Sequence, residues 1–251
     1  MNLKSILRST QSAFPFIRPW KFEAYNFGTR HFGWHVEAEF RLLAGLAPVS
    51  LALDIGGNWG QSIHALQRLA RPGRIISFEP NPVLAARLQR RFAGDAAVEI
   101  RNFALSNAAG EFTLHVPRYG NYLYDGLASL KVEEARDWFT PERFAWFNPA
   151  RLHIDSAIVT TATLDSLALS PAVVKIDVQG AEELVVEGGL ATFDRCKPFT
   201  IMECPTARIV EQLSGVGLQA YHYHQGKLQH WEHHDSNVVF MTDAHRATLG
   251  L

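Results

Sequence analysis

The sequence predicts an α/β fold in which strands alternate with helices around a mostly parallel sheet. Short apolar runs recur along the chain: VSLALD (49–54), RIISFE (74–79), VEIRNFAL (98–105), AVVKIDV (172–178) and FTIMEC (199–204). Their near-continuous apolar character suits strands covered on both faces. The first run ends in Asp54 and a glycine-rich turn, DIGGNWG, where such sheets receive ligands. The chain has 251 residues, 47% of them hydrophobic and 20% charged, which fits one large globular domain with additions and not a disordered chain.

Residues 1–48 read as an aromatic, helical N-terminal extension, with helical spacing through Val36, Phe40, Leu43 and Leu46 and Pro48 beyond. Residues 49–251 form the main domain. Gln61 to Leu69 and Pro82 to Phe92 read as helices, the second with proline in its first turn. EFTLHV (111–116) alternates like a hairpin strand, and AIVTTATL (157–164) reads as another strand. Between them, residues 117–156 are irregular and aromatic, an insertion or lid too long for a turn. GAEELVVEGGL (180–190) and Thr206 to Leu213 read as helices. The tail reads as two strands, LQAYHYH and NVVFMT, with a short loop around Gln225-Gly226, which puts an antiparallel element at one sheet edge.

The turn D-x-G-x-x-x-G, formed by Asp54, Gly56 and Gly60, does not have the G-x-G-x-x-G spacing that lays a pyrophosphate on a helix N-terminus. Trp59 would crowd a phosphate path, and Asp54 disfavours an anion. The pattern suits a cationic or zwitterionic nucleoside ligand. Glu79 ends the second strand in SFEPNP, where a carboxylate accepts hydrogen bonds from a ribose diol. Asn102 to Leu105, in NFALS, can frame an adenine.

DIGGNWGQS, FEPNP, NFALS, TATLD, VVKIDVQGAEELVVEGG and IMEC occur in this order. Together they resemble the FkbM family of S-adenosylmethionine-dependent methyltransferases, a branch of the Rossmann-like class I methyltransferases, over roughly residues 49–242. The resemblance implies a seven-stranded sheet with the last strand inserted antiparallel, S-adenosylmethionine as cofactor, and methyl transfer to oxygen. It implies that Asp54, Gly56, Asn58 and Gly60, with Gly57 and Ser62 in the same turn, hold the methionine part. Glu79 and Pro80 then face the ribose, and Ala104 and Asn102 border the adenine. Lys175, Asp177 and Glu182 fall in the second signature, where acceptor meets methyl. The family usually carries glutamate where Gln179 stands, so one charge is missing beside the acceptor.

A hydroxyl acceptor loses a proton, so a nearby base helps. Asp177 is the leading candidate, with a pKa expected to rise by burial. Lys175 would pair or steer, and Glu203 is a second acid. Tyr122 and Tyr124, with Asp125, are expected over the mouth as a substrate-facing lid, with Gln179 and Glu182 beside them. Relatives' preference for glycans points to a saccharide-containing small-molecule acceptor. The alternatives are a cofactor-binding protein without turnover, kept open by Gln179, and an NAD-dependent oxidoreductase, which the glycine spacing disfavours.

Among eleven histidines, His230, His233 and His234 cluster with Asp235, and His222 and His224 share a strand face. They read as solvated side chains, so no divalent metal is predicted, though none is excluded. The net charge of −1 predicts no general affinity for nucleic acid. Cys196 and Cys204 are too few for a disulfide scaffold and read as buried small hydrophobes. No run is long and apolar enough to span a bilayer, and the N-terminus lacks a signal-peptide core, so a cytoplasmic location is expected. The sequence does not set the oligomeric state.

Overall fold

The structure, a computed structural model, describes residues 5, 8–10, 12, 14, 16–34, 36–129, 131–232 and 237–251. Its main sheet is built from β1 (Leu51–Ile55), β2 (Arg74–Phe78), β3 (Val98–Arg101), β8 (Val173–Ile176), β9 (Phe199–Glu203), β10 (Gln219–His224), β11 (Lys227–His230) and β12 (Asn237–Met241). The spatial order is β11-β10-β12-β9-β8-β1-β2-β3. Strands β3, β2, β1, β8 and β9 are parallel, and β12 lies antiparallel between β9 and β10.

Two features differ from the sequence reading. The sheet has eight strands instead of seven, because the tail forms three strands among the described residues. The Gln225-Gly226 turn, with both residues at positive φ, joins β10 to β11 and not to NVVFMT. The run 98–105 also splits: the chain leaves the sheet after Arg101, and β4 (Ala104–Leu105) pairs elsewhere. The Asn102 amide makes the corner by donating to the Glu79 and Pro80 carbonyls at 2.9 and 3.0 Å.

Strand periodicity divides the core into two layers. Leu53, Ile55, Phe78, Val174, Ile176 and Met202 point to one face. There they meet α6 (Glu182–Glu187), α7 (Leu190–Cys196) and α8 (Ala207–Gly215). Ala52, Ile75, Val173 and Ile201 point to the other, against α3 (Gln61–Leu69) and α4 (Pro82–Phe92). The single helix expected over 180–190 stops at Gly188, and α7 starts beyond Gly189.

The N-terminal segment contributes α1 (Ile17–Phe32), a 3-10 turn over Ala38–Leu42 and α2 (Leu43–Leu46). The helix expected from Val36 to Leu46 is thus short and partly 3-10. Ala47 is extended because Pro48 follows it. Helix α1 lies on α3 and is anchored by Trp59, whose ring stacks on Phe22 at 4.4 Å and whose carbonyl accepts from Asn26 at 2.9 Å. The indole therefore turns away from the ligand side of the glycine turn and fastens the extension.

A second sheet, ordered β4-β7-β5-β6, joins β4 to β5 (Gly110–Tyr119), β6 (Tyr122–Leu123) and β7 (Leu152–Ala162). Strands β5 and β7 pair from Gly110↔Thr161 to Tyr119↔Leu152. They take up both ends of the stretch read as irregular. Between them lie β6, a 3-10 turn at Asp125–Leu127 and α5 (Val132–Asp137). Tyr119, Phe139 and Phe144 form the arm's buried aromatic cluster, with Tyr124, Trp138 and Phe147 packed against it.

Candidate functional site at the strand tips

Parallel pairing lines up the site. Phe78, Ile55, Ile176 and Met202 are register partners across β2, β1, β8 and β9. The residues that follow them, Glu79, Gly56, Asp177 and Glu203, therefore form one row along the carboxyl edge of the sheet. One position inside the edge, Asp54 pairs with Ser77 on one side and Lys175 on the other.

The row opens on a first cleft at the carboxyl edge of the sheet. Its apolar walls come from Phe78, Ala104, Leu105 and Leu114, and its polar groups from Asn58, Glu79, Asp125 and Asp177. Pro80 and Gln179 also line it. Glu79 is 5% exposed. Its carboxylate accepts from the backbone N–H groups of Asn58 at 2.7 Å and Asn81 at 2.8 Å. Burial nevertheless outweighs those bonds and raises its pKa to about 7.

The turn needs its glycines for close approach. A Cβ on Gly56, at φ +92°, would lie 1.9 Å from the Asp177 carbonyl oxygen, and one on Gly57 would lie 2.4 Å from Ser77 Oγ. Gly60 caps α3, and Ser62 stands in that helix's first turn, facing a second cavity shared with Glu37, Lys175 and Asp177. The two cavities meet at Gly56, Asn58 and Asp177.

Asp54 stands behind the turn. It has no exposed surface, accepts from Ser77 Oγ at 2.7 Å and lies 3.8 Å from Lys175 Nζ. It acts on Lys175 and the turn, without the ligand-facing surface its place in the motif predicts. Lys175 Nζ donates to the Gly56 carbonyl at 3.1 Å and pairs with Asp177 at 3.3 Å. Burial alone would lower the Lys175 pKa, but Asp177 and Asp54 outweigh it and raise it.

The rise in pKa expected at Asp177 is found instead at its neighbour Glu203. Burial would raise Asp177, but Lys175 and the hydrogen bonds around it win, so its pKa is lowered. Glu203 goes the other way: desolvation and the adjacent Asp177 raise it to about 7. Gln179 Nε2 bridges the two, donating to Asp177 at 2.7 Å and to Glu203 at 3.1 Å. Glu182 ties the loop by accepting from the Val178 and Gly180 amides at 3.1 and 2.9 Å.

Glu203, Gln179 and Glu182 line an outer cleft with Lys131 and Trp138 of the lid. Tyr122 and Tyr124 do not face it. Tyr122 is 3% exposed and packs on Tyr124, whose hydroxyl is 2.7 Å from Ser12 Oγ. Their place in the aromatic core leaves Asp125 and Gly126 over the first cleft and Trp138 at the outer one. Trp138 had no sequence signal to separate it from its packed aromatic neighbours. Cys204, expected to be buried, is exposed at the same outer cleft. His233, His234 and Asp235 lie outside the described residues. Among the described residues, no three His, Cys, Asp or Glu side chains are grouped to hold a metal. Among the same residues, no helix is long and apolar enough to cross a membrane.

The cleft fits a nucleoside that ends in a cationic arm. Glu79 offers acceptors at the β2 tip, and Asn58 Oδ1 is buried without a hydrogen-bond partner among the described residues, where the two cavities meet.

The family model described as the methyltransferase FkbM domain matches residues 48–235. A crystal structure of a methyltransferase FkbM from Methylobacillus flagellatus KT is similar over 96% of this chain, at 13% identity and a TM-score of 0.49. This chain spans 55% of that protein's length. A TehB-like SAM-dependent methyltransferase from Corynebacterium glutamicum is similar at 13% identity and a TM-score of 0.42, over 89% of this chain and 98% of that one. Fibrillarin from Aeropyrum pernix, in complex with natively bound S-adenosyl-L-methionine, is similar at 13% identity and a TM-score of 0.38, over 80% of this chain and 71% of that one. No individual curated protein sequence matches. The family match covers the glycine turn, the Glu79 tip and the Asp177 loop, and the chain belongs to the FkbM family of S-adenosylmethionine-dependent methyltransferases.

Proposed function

We propose that the protein methylates a hydroxyl of a saccharide-containing small molecule, with the cofactor in the first cleft and the acceptor in the outer one. The observation that carries this is the Asp177–Gln179–Glu203 bridge, since Asp177 and Gln179 also line the first cleft and Glu203 and Gln179 the outer one. In this reading Glu79 holds the ribose diol, and Phe78, Pro80 and Ala104 border the nucleoside. Gly56 and Asn58 pass the methionine part toward Ser62. Asp54, Gly57, Gly60 and Asn102 shape the turn and the strand tip without touching the ligand.

When bound, the cofactor supplies a methyl already activated on a sulfonium, which the acceptor oxygen takes while the carbon–sulfur electrons stay on sulfur. The chain's task is alignment and proton removal. Glu203 takes the hydroxyl proton. Its pKa of about 7 makes it a competent base near neutrality, whereas Asp177, held ionised by Lys175, is too weak a base and positions Gln179. Gln179 serves the pair as a neutral donor to both carboxylates, a task that glutamate could not perform. Trp138 offers an apolar wall, and Lys131, Glu182 and Glu183 a polar rim, which suit a hydroxylated ring.

The test is transfer of radiolabelled methyl from S-adenosylmethionine across a panel of saccharides and sugar-free alcohols. Turnover on saccharides that drops by about 100-fold or more in Glu203→Gln, with cofactor affinity unchanged, supports the reading. Cofactor binding without turnover on any acceptor supports the inert alternative, and turnover confined to sugar-free acceptors removes the saccharide.

A further inference from the structure

The second cavity has a wall that the family match does not include. Tyr25, Thr29, Val36 and Glu37 line it, all N-terminal to residue 48, where the matched segment begins. Ser62, Lys175 and Asp177 also line it, and it joins the first cleft at Gly56 and Asn58. A ligand whose ribose lies at Glu79 therefore has a path past Gly56 and Asn58 into this space.

The charges along that path are not balanced. Lys175 is matched by Asp177 at 3.3 Å and Asp54 at 3.8 Å. Glu37 has no ion pair within 4 Å among the described residues, and the side chain bonded to it is the neutral amide of Asn237. Glu37 keeps exposed surface and lines the cavity, although its surroundings desolvate the carboxyl enough to raise its pKa, which favours a cationic partner there. Asn58 lines both cavities, and its Oδ1 is buried without a partner among the described residues. Both groups are acceptors, which suits an ammonium and repels a carboxylate. Val36, Phe40 and Ala65 give the same cavity apolar surface for a short methylene chain.

We propose that Glu37 and Asn58 Oδ1 receive the ammonium of the cofactor's amino-acid arm, so that the N-terminal extension forms a wall of the cofactor site. The inference rests on the cofactor placement given under Proposed function. Trp59 serves it indirectly: by stacking on Phe22 it couples the glycine turn to the helix that carries Tyr25 and Thr29 to the cavity.

Three ligands that share a nucleoside separate the parts of this arm. S-adenosylhomocysteine carries ammonium and carboxylate, decarboxylated S-adenosylhomocysteine carries the ammonium alone, and 5′-methylthioadenosine carries neither, all three with a neutral thioether sulfur. Isothermal titration of the full chain is expected to show Glu37→Gln weakening the first two by about tenfold or more, the loss typical of a charged hydrogen bond. Binding of 5′-methylthioadenosine should stay unchanged, which also reports that the variant is folded. Glu37→Asp, which keeps the charge, should recover part of the loss. Equal weakening of all three ligands, no weakening of any, or loss confined to S-adenosylhomocysteine would overturn the ammonium assignment. Failure of the unmodified protein to bind any of the three would instead overturn the cofactor placement itself.

Discussion

Glu79 gives the cofactor site a pH dependence that can be worked out in advance. The carboxylate must be ionised to accept two hydrogen bonds from a ribose diol, yet burial holds its pKa at about 7 in the free protein. With that midpoint, about one site in eleven is ionised at pH 6 and about ten in eleven at pH 8. Nucleoside affinity should therefore rise about tenfold between those values, or about 1.4 kcal/mol. The best ligand is 5′-methylthioadenosine, because it has no amine of its own to titrate in this range. Isothermal titration at pH 6, 7 and 8 gives the curve directly. Glu79→Gln should lower affinity by about 1–3 kcal/mol, the usual cost of a lost charged hydrogen bond, and flatten the curve. Stability moves in the opposite sense. A carboxyl with a raised folded pKa contributes stability that is full below its unfolded value and lost as pH rises through 7. The free protein should thus lose stability over the window in which it gains affinity. A dissociation constant that changes less than twofold from pH 6 to pH 8, or the same slope in Glu79→Gln, would refute the reasoning.

Other perturbations separate the remaining parts. Gln179→Glu puts a third carboxylate beside Asp177 and Glu203. It should raise the pKa of Glu203 further and move the acid limb of the turnover–pH profile upward, with cofactor affinity little changed; an unmoved limb would detach Glu203 from proton removal. Trp138→Ala should raise the acceptor's KM several-fold while leaving cofactor binding intact, measured by steady-state kinetics. Trp59→Ala removes a 2%-exposed ring stacked between Phe22 and Arg87. It should cost about 3–5 kcal/mol by denaturant titration; a loss below about 1 kcal/mol would mean that α1 is held by other contacts.

The sequence made the strand tips legible because parallel strands fix their own register. Once VSLALD, RIISFE, AVVKIDV and FTIMEC are read as strands, Gly56, Glu79, Asp177 and Glu203 must follow their ends, and the pairing puts them in one row. Side-chain direction was less legible. The facing partners Ser77 and Lys175 hold Asp54 behind the turn, and such partners are known only after the strands are paired. The division of charge between Asp177 and Glu203 depends on Lys175 at 3.3 Å and on the Gln179 bridge, neither of which spacing can supply. Long-range pairing was the least legible. The β5–β7 ladder runs on to Tyr119↔Leu152, so the arm consumes residues that read as an irregular insertion, and its closed aromatic cluster draws in Tyr122 and Tyr124. Glu37 lines the second cavity from outside the matched family segment, where the local pattern reads only as a helix.

The central claim is that the nucleoside lies across the row of strand tips, with its ribose on Glu79. A crystal structure of the protein with S-adenosylhomocysteine tests it most directly. The account predicts both ribose hydroxyls within hydrogen-bond distance of the Glu79 carboxylate and the sulfur near the Asp177–Gln179 loop. A nucleoside bound in another cavity, or a Glu79 carboxylate turned away from the ribose, would contradict it.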